Sequence, residues 1–208
     1  MKKRVLCYGD SNTWGYIPGT GLRYDDEIRW TGVLREKLGI GFTVIEEGLN
    51  GRTTVYDDPF QSFYCRNGKT FLPTVLMTHK PLDIIIFMLG TNDLKSIYNA
   101  NPYDIAKGMS TLINIVKYLS CGRLEQAPKI IVVSPPSIEE MTEFASQFIG
   151  AKEKIKYISE EYNRISNELG CIFYNATKTI KGSKIDGLHL EEAEHKKLGE
   201  EFACLILN

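Results

Sequence analysis

The feature that most limits the fold of this chain is a nearly unbroken apolar run from Leu82 to Leu89, interrupted only by Asp83. A run without polar alternation is typical of a strand covered on both faces, and such strands belong to parallel sheets. The run ends at Gly90, where a turn begins. We therefore expect a central strand of a parallel α/β sheet here.

Four other apolar runs are predicted strands, separated by segments with apolar residues at helical spacing. These strands are Val5–Tyr8, Phe42–Glu46, Lys129–Val133 and Cys171–Tyr174. Strands and helices that alternate along the whole chain indicate βαβ units and a doubly wound parallel sheet. No internal repeat or linker is visible, so residues 1–208 are expected to form one domain.

Proline, asparagine and glycine mark the expected ends of the helices. A helix is predicted to begin at Asn101 and Pro102, because asparagine caps helices and proline suits the first turn. The same preference places Pro73 in the first turn of a short helix that ends before Pro81. Gly170 is expected just after the end of a long helix.

Charge and hydropathy exclude several classes of protein. The formal net charge is −1 over 208 residues, and no basic stripe is evident, which argues against nucleic acid as a partner. The apolar run after Arg4 ends at Gly9, which is too short for a signal peptide. No run approaches the length of a membrane span. Five cysteines without paired spacing fit a reducing compartment, so a cytoplasmic location is expected, while a homo-oligomer cannot be read from the sequence.

The first strand ends in the polar turn Gly9-Asp10-Ser11-Asn12. A serine at the carboxyl end of such a strand lies in the crevice where α/β sheets bind their ligands. Ser11 is therefore a candidate nucleophile. All four residue types also favour turns, so an ordinary turn stays open as an interpretation of this motif alone.

The second candidate element is Asp186-Gly187-Leu188-His189, which stands before the last helix. An acid three residues before a histidine can orient the imidazole and leave its other nitrogen for a serine. The alternative is a helix N-terminus capped by Asp186 or Ser183, with His189 exposed. His79, at an expected helix end, and His195, on the expected polar side of the last helix, are interpreted as structural or solvated. That helix is expected to turn Ala193, Leu198, Phe202 and Leu205 inward.

Two further turns follow predicted strands. Asn92, after the central strand, has an amide that can donate to an oxyanion, although Gly-Thr-Asn-Asp is also a good turn. Gly51, after the second strand, can present a backbone N–H where no side chain is tolerated. Asn50-Gly51 is equally a hairpin signal.

Together these four blocks resemble the SGNH, or GDSL-like, hydrolase family, and the resemblance covers essentially the whole chain. The blocks match in order as Gly9-Asp10-Ser11-Asn12, Asn50-Gly51-Arg52-Thr53, Gly90-Thr91-Asn92-Asp93 and Asp186-Gly187-Leu188-His189. Asn12 stands where the common family name has leucine. Within the family, the sequence is most similar to the small intracellular aryl-esterase and acyltransferase branch.

The resemblance implies a three-layer α/β/α sandwich with a five-stranded parallel sheet in the flavodoxin-like order 2-1-3-4-5. It further implies that Ser11 is the nucleophile, His189 the general base and acid, and Asp186 the residue that orients His189. The oxyanion hole would consist of the backbone N–H groups of Ser11 and Gly51 and the side-chain amide of Asn92. No cofactor and no metal ion are implied, and the partner is a small-molecule ester.

The predicted function is a serine esterase that hydrolyses short-chain acyl esters, either acetyl or aryl, with acyl transfer as a side activity. A carbohydrate O-deacetylase is the alternative among hydrolases. Two other classes stay open: a flavin- or nucleotide-binding module on the same scaffold, and a metal-dependent phosphohydrolase that uses Asp10, Asp93, Asp186 and His189. Four loop residues are expected walls for the substrate, or else ordinary packing residues: Trp14, Tyr16, Tyr98 and Pro135.

Overall fold

The computed structural model describes residues 2–61, 63–140 and 142–208. In these ranges, parallel strands form one five-stranded sheet in the order β2-β1-β3-β4-β5. The strands are β1 Lys3–Gly9, β2 Phe42–Gly48, β3 Ile84–Met88, β4 Lys129–Val133 and β5 Ile172–Tyr174. The predicted sheet and its strand order are confirmed.

Helices cover both faces of the sheet, which gives the predicted three-layer α/β/α arrangement. They are α1 Ser11–Trp14, α2 Trp30–Leu38, α3 Gly68–His79, α4 Pro102–Leu119, α5 Ala151–Glu168, α6 Ala176–Thr179 and α7 Glu192–Leu207. Leu6 and Tyr8 of β1 pack with the face that holds α3, α4 and α5. Val5 and Cys7 pack with the face that holds α2 and α7. Among the described helices, none combines the length and the apolar character needed to cross a bilayer.

Several predicted helix ends are confirmed. The side chain of Asn101 caps α4 by accepting a hydrogen bond from the Asp104 N–H at 2.9 Å, and Pro102 is the first helical residue. Gly170 follows the end of α5 with a positive φ of 61°, a conformation that glycine adopts without steric cost.

The start of α3 differs from the prediction. The helix begins at Gly68, where the side chain of Asn67 caps it by accepting a hydrogen bond from the Lys69 N–H at 3.1 Å. Pro73 therefore lies inside the helix and not in its first turn. Glycine is a poor helix former, but a Cβ on Gly68 would lie 2.6 Å from the Thr53 carbonyl oxygen. Close packing thus requires glycine at position 68, and because glycine is a poor helix former, the sequence does not indicate that the helix begins there.

The inward face of α7 also differs from the prediction. His195 is fully buried, whereas Ala193 is exposed. The His195 Nδ1 accepts a hydrogen bond from the Trp30 backbone N–H at 3.3 Å, and its ring lies edge-on to Tyr24. Burial, with the charges of Arg29 and His189 nearby, lowers the pKa of His195 to about 3. His195 is therefore a neutral structural residue, which agrees with one of its two predicted interpretations. It lies on the buried side of α7 and not on the predicted polar side.

Candidate active site

Three loops that follow neighbouring strands form the base of the site. Gly9 at the end of β1 is level with Gly48 of β2 and with Met88 of β3. The loops that carry Ser11, Gly51 and Asn92 therefore start side by side. The strand order reverses between β1 and β3, and in open α/β sheets this crevice is the usual ligand site.

Ser11, His189 and Asp186 form a continuous hydrogen-bonded chain. The His189 Nε2 lies 3.1 Å from the Ser11 Oγ, and the His189 Nδ1 lies 2.7 Å from the Asp186 Oδ2. All three residues are buried. This arrangement has the geometry of a nucleophile, a general base and a residue that orients the base.

Asp186 is held as a carboxylate by a dense set of donors. Its Oδ1 accepts the backbone N–H groups of Leu188 at 2.9 Å and His189 at 3.0 Å, and its Oδ2 accepts the Gly19 N–H at 3.3 Å. Burial raises the pKa of Asp186, but the hydrogen bonds from His189 and Leu188 outweigh burial and lower it to about 2. The carboxylate is thus charged at neutral pH and lies against the His189 Nδ1. The alternative with an exposed His189 at a helix N-terminus does not fit, because His189 is buried and α7 starts only at Glu192.

A short helix presents Ser11 at the end of β1. Asp10 caps α1 through a hydrogen bond from the Asn12 N–H to its Oδ1 at 3.0 Å. Gly9 allows the tight turn, because a Cβ there would lie 2.0 Å from the Thr13 Oγ1 and 2.9 Å from the Met88 carbonyl oxygen. Ser11 is the first helical residue, so its N–H has no acceptor within the helix.

Three hydrogen-bond donors belong to residues that line the cavity beside Ser11. Among the described residues, no acceptor is bonded to the N–H of Ser11 or of Gly51. Gly51 has a φ of 78°, in the left-handed region. The Asn92 Nδ2 donates one hydrogen bond to the Arg52 carbonyl oxygen at 3.2 Å, which fixes the amide and leaves its second hydrogen available. Ser11, Gly51 and Asn92 all line the same cavity.

Asn12 takes part in the site in a way that the sequence did not suggest. Its Oδ1 accepts the Leu190 N–H at 3.1 Å, and its Nδ2 donates to the Leu188 carbonyl oxygen at 3.4 Å. These two backbone groups flank His189. The Asn12 side chain therefore connects the loop of Ser11 to the loop of His189. The only available signal was that Asn12 replaces the leucine of the family name.

The cavity above Ser11 has a volume of about 290 Å³. Tyr16 lines it and stacks on the His189 ring with a centroid distance of 4.0 Å. The Phe144 ring lies edge-on to the His189 ring at a centroid distance of 5.7 Å. The complete lining is Ser11, Tyr16, Asn50, Gly51, Arg66, Asn92, Lys95, Phe144, Gln147, Phe148, Leu188 and His189.

The other three predicted wall residues lie outside this lining. Trp14 is half-buried with the Arg23 guanidinium over its ring at 5.1 Å. Tyr98 stacks on Tyr56 with a centroid distance of 5.1 Å. Pro135 is buried against the turn after β3, because a Cβ on Gly90 would lie 3.1 Å from its ring. Each packs against a neighbouring residue, which is the alternative that the sequence left open.

Five residues of the cavity lining were not predicted from the sequence: Arg66, Lys95, Phe144, Gln147 and Phe148. Phe144, Phe148 and Arg66 lie in irregular segments without periodicity, so no local pattern indicates that they face the site. Lys95 had a weak signal, because it stands one helical turn after Asn92.

The buried acids beside the site are bound to protein groups. Asp93 accepts the Thr54 N–H at 3.0 Å and a short hydrogen bond from the Thr54 hydroxyl, and burial raises its pKa to about 7. Burial also raises the pKa of Asp10 to about 6. Within the described residues, no group of three or more His, Cys, Asp or Glu side chains is arranged to hold a metal ion. The ligand set of the phosphohydrolase alternative, which also needs Asp186 and His189, is therefore not assembled there.

The comparison with family models establishes the protein family. The model of the GDSL-like lipase/acylhydrolase family matches residues 7–197. This chain belongs to that family. The GDSL-like assignment supports a serine ester hydrolase and gives no support to a flavin- or nucleotide-binding module.

Solved structures of two esterases are similar to this GDSL-like hydrolase over almost its whole length. A carbohydrate acetylesterase from Sinorhizobium meliloti is 41% identical with a TM-score of 0.93, and the match covers 99% of each chain. An aryl esterase from M. smegmatis is 40% identical with a TM-score of 0.93, over 99% of this chain and 98% of that one. A lipase/acylhydrolase from Enterococcus faecalis, 17% identical with a TM-score of 0.72 over 98% and 95% of the chains, shares the fold. A comparison with curated proteins gives no match.

Proposed function

We propose that this serine ester hydrolase cleaves short-chain acyl esters through an acyl-enzyme on Ser11. The observation that carries the proposal is the hydrogen-bonded chain from Ser11 through His189 to Asp186. The His189 Nε2 accepts the hydroxyl proton while the Ser11 Oγ attacks the ester carbonyl carbon. The bond to the alcohol oxygen then breaks, and His189 returns the proton to the departing alkoxide.

The second half of the reaction reuses the same base. A water molecule attacks the acyl carbon and passes its proton to His189. The bond to the Ser11 Oγ breaks, and the proton returns to that oxygen, which releases the carboxylic acid. An acceptor alcohol that takes the place of water would yield a new ester, so acyl transfer follows from the same intermediate.

Each attack on the carbonyl carbon produces a tetrahedral intermediate with a negative charge on the former carbonyl oxygen. Hydrogen-bond donors must stabilise this oxyanion. The N–H groups of Ser11 and Gly51 and the amide of Asn92 are suited to this task. They belong to residues that line the cavity beside the Ser11 Oγ, and each has a hydrogen that no described residue accepts. Donors fixed before the reaction stabilise the developing oxyanion without a cost of reorganisation.

The size and lining of the cavity support a small ester. Its volume of about 290 Å³ stands at the lower end of the usual range for ligand pockets, roughly 300–1,000 Å³. Tyr16, Phe144 and Phe148 give it apolar walls. Acetyl and other short acyl groups on aromatic or small alcohols are therefore the proposed substrates.

Deacetylation of carbohydrates is the second candidate. The similarity to a carbohydrate acetylesterase at 41% identity favours it, and the amide side chains of Asn50 and Gln147 supply polar groups in the cavity lining. Both candidates share the proposed acyl-enzyme and differ only in the alcohol.

Covalent labelling combined with a substrate panel tests the proposal. A fluorophosphonate should add once to the wild-type protein, at Ser11, and should not add to Ser11→Ala. Ser110→Ala is the matched control, because the Ser110 hydroxyl donates to the Ala106 carbonyl oxygen of its own helix. The wild type should hydrolyse 4-nitrophenyl acetate faster than the octanoate, and release of acetate from acetylated xylose would support the carbohydrate candidate. A folded Ser11→Ala enzyme with normal turnover, or a label at another residue, contradicts the proposal.

A further inference from the structure

The charge of the cavity lining differs from that of the chain as a whole. The chain has 25 Lys and Arg against 26 Asp and Glu. The described residues that line the cavity include the cationic side chains of Arg66 and Lys95 and no carboxylate. Cations on a cavity wall favour anionic ligands, here against the carboxylates of Asp10, Asp58 and Asp93, which act on Lys95 but do not line the cavity.

Lys95 has carboxylates nearby but no direct partner for its ammonium group among the described residues. Within the described residues, its Nζ has no hydrogen-bond acceptor and no ion-pair partner. The side chain is half-buried, and burial lowers its pKa, as does nearby Arg66, against the opposite effect of Asp58, Asp10 and Asp93. An ammonium group held partly out of water without a direct partner costs stability, and an anionic ligand in the cavity would supply that partner.

The backbone fixes Lys95 close to the reacting groups. Its N–H donates to the Asn92 carbonyl oxygen at 3.2 Å, so the two residues belong to one turn. The Lys95 side chain and the Asn92 amide line the same cavity as the Ser11 hydroxyl. A group held by the ammonium would therefore belong to the same small molecule as the ester carbonyl.

Arg66 supplies a second donor at the same wall. Its Nη1 forms an ion pair with the Asp58 Oδ2 at 2.7 Å, and its Nη2 donates to the Tyr64 hydroxyl at 3.2 Å. Its Nε is buried and has no partner among the described residues. A Cβ on Gly51 would lie 2.8 Å from this Nε, so the free N–H lies beside the Gly51 loop.

We propose that the ester substrate carries an anionic group, such as a carboxylate, that the Lys95 ammonium binds with support from the Arg66 Nε–H. This inference rests on the proposed esterase function and narrows its substrate class. Monoesters of dicarboxylic acids carry the charge on the acyl side, and acyl esters of hydroxy acids carry it on the alcohol side. Both present the same chemistry to Lys95.

Two pairs of nearly isosteric esters separate these sources. Monoethyl succinate is compared with ethyl 4-oxopentanoate, in which a methyl ketone replaces the carboxylate on the acyl side. The compound 3-acetoxybenzoate is compared with 3-acetoxybenzamide, which differs on the alcohol side. The wild type should prefer the anionic member of at least one pair by about tenfold or more in kcat/KM, the range expected for a partly desolvated charge pair. The pair that shows the preference identifies the charged end.

Lys95→Met should remove this preference, because it keeps the aliphatic stem and lacks the charge. Lys129→Met is the matched control. Lys129 is exposed at the amino end of β4, whereas the site lies at the carboxyl ends of the strands. The control should retain the wild-type ratio. Added salt should lower the ratio in the wild type more than in Lys95→Met.

Three outcomes would overturn the inference: no anionic preference in the wild type, an unchanged preference in Lys95→Met, or an equal loss on charged and neutral esters. The last outcome would mean that the Lys95 charge stabilises the oxyanion, which is common to both esters, and does not bind an anionic group of the substrate. Calorimetric binding of monoethyl succinate to Ser11→Ala and to Ser11→Ala/Lys95→Met gives an independent readout, with binding expected at least tenfold weaker in the double variant, by the same charge-pair argument. If the wild type hydrolyses no ester, the esterase proposal fails, while the binding measurement still tests the anion site.

Discussion

Asn12 binds the backbone of Leu190, whose N–H donates to the Asn12 Oδ1 at 3.1 Å. The Asn12 Nδ2 holds the Leu188 carbonyl oxygen on the other side of His189 at 3.4 Å. We infer that this amide is a positioning group for His189. It does not contact the reacting atoms, yet it fixes the loop from which the imidazole reaches Ser11.

Replacement of Asn12 tests this relationship. Asn12→Leu leaves the buried Leu190 N–H and Leu188 carbonyl without partners, so kcat should fall by roughly 10- to 100-fold, since a misplaced catalytic group is costly. KM should change little. The second-order rate of fluorophosphonate labelling at Ser11 should fall in parallel, which a loss of stability alone would not cause in protein that thermal melts show to be folded. Asn12→Asp keeps the acceptor for Leu190 and should lose less activity. Wild-type labelling by Asn12→Leu would contradict the positioning role.

Asp186 gives a second prediction. Because its pKa is lowered to about 2, its carboxylate remains charged throughout the pH range in which esterases are assayed. Asp186→Asn should reduce kcat by about 10³- to 10⁴-fold, because an amide in this position favours the wrong tautomer of the histidine. Steady-state kinetics at pH 7.5 checks this. Asp104→Asn, in the first turn of α4, is the matched control, and similar losses in both variants would argue against a specific role.

The same shift predicts a pH effect on stability. The folded pKa of Asp186 lies below its ordinary value of 3.8, so its contribution to stability is present above that value and is lost as the pH falls through about 2.

The strands and the four motif blocks were predictable because local sequence controls them. A buried strand needs an apolar run, and the turn that ends it needs residues such as Gly9 or Gly90. Once the topology is a parallel sheet, the residues after neighbouring strands meet at one edge. For this reason Ser11 and Asn92 could be placed together from sequence.

The errors occurred where tertiary packing decided the outcome. His195, Leu198 and Phe202 share one helical face by their spacing, so the periodicity already included His195. Histidine is polar and so is expected outside the core, but the Trp30 N–H supplies the hydrogen-bond partner that lets His195 be buried. Phe144 and Phe148 reach the cavity from an irregular segment distant in sequence, which no local pattern indicates.

The buried His195 predicts that stability falls in acid. Its pKa is about 3 in the folded chain and about 6.5 in the unfolded chain. Between these values the unfolded state binds a proton that the folded state does not, so the free energy of unfolding decreases as the pH falls below about 6.5, by at most about 1.4 kcal/mol per pH unit. His195→Gln keeps an acceptor for the Trp30 N–H and does not titrate. Urea unfolding of both proteins from pH 7 to pH 4 should show a smaller loss in the variant, and identical slopes would contradict the assignment.

Asn92 provides the sharpest test of the oxyanion hole, because two similar substitutions lead to different expectations. Its amide has one hydrogen on the Arg52 carbonyl oxygen at 3.2 Å and a second hydrogen available to the substrate. Donation to an oxyanion strengthens as negative charge develops, so its loss should affect turnover more than substrate binding. Asn92→Ala should therefore lower kcat by about 10²- to 10³-fold with a small change in KM.

Asn92→Asp separates this role from that of a turn residue. The carboxylate keeps the shape of the amide and forms turns equally well, but it offers only acceptors and adds a negative charge beside the buried Asp10 and Asp93. If Asn92 donates to the oxyanion, Asn92→Asp should be at least as damaging as Asn92→Ala. Asn114→Asp, at an exposed position of α4, controls for the change in net charge. Measured kcat and KM values, with thermal melts to verify folding, decide between the two roles. A folded and active Asn92→Asp enzyme would mean that the amide only shapes the turn, and that the two backbone N–H groups stabilise the oxyanion without it.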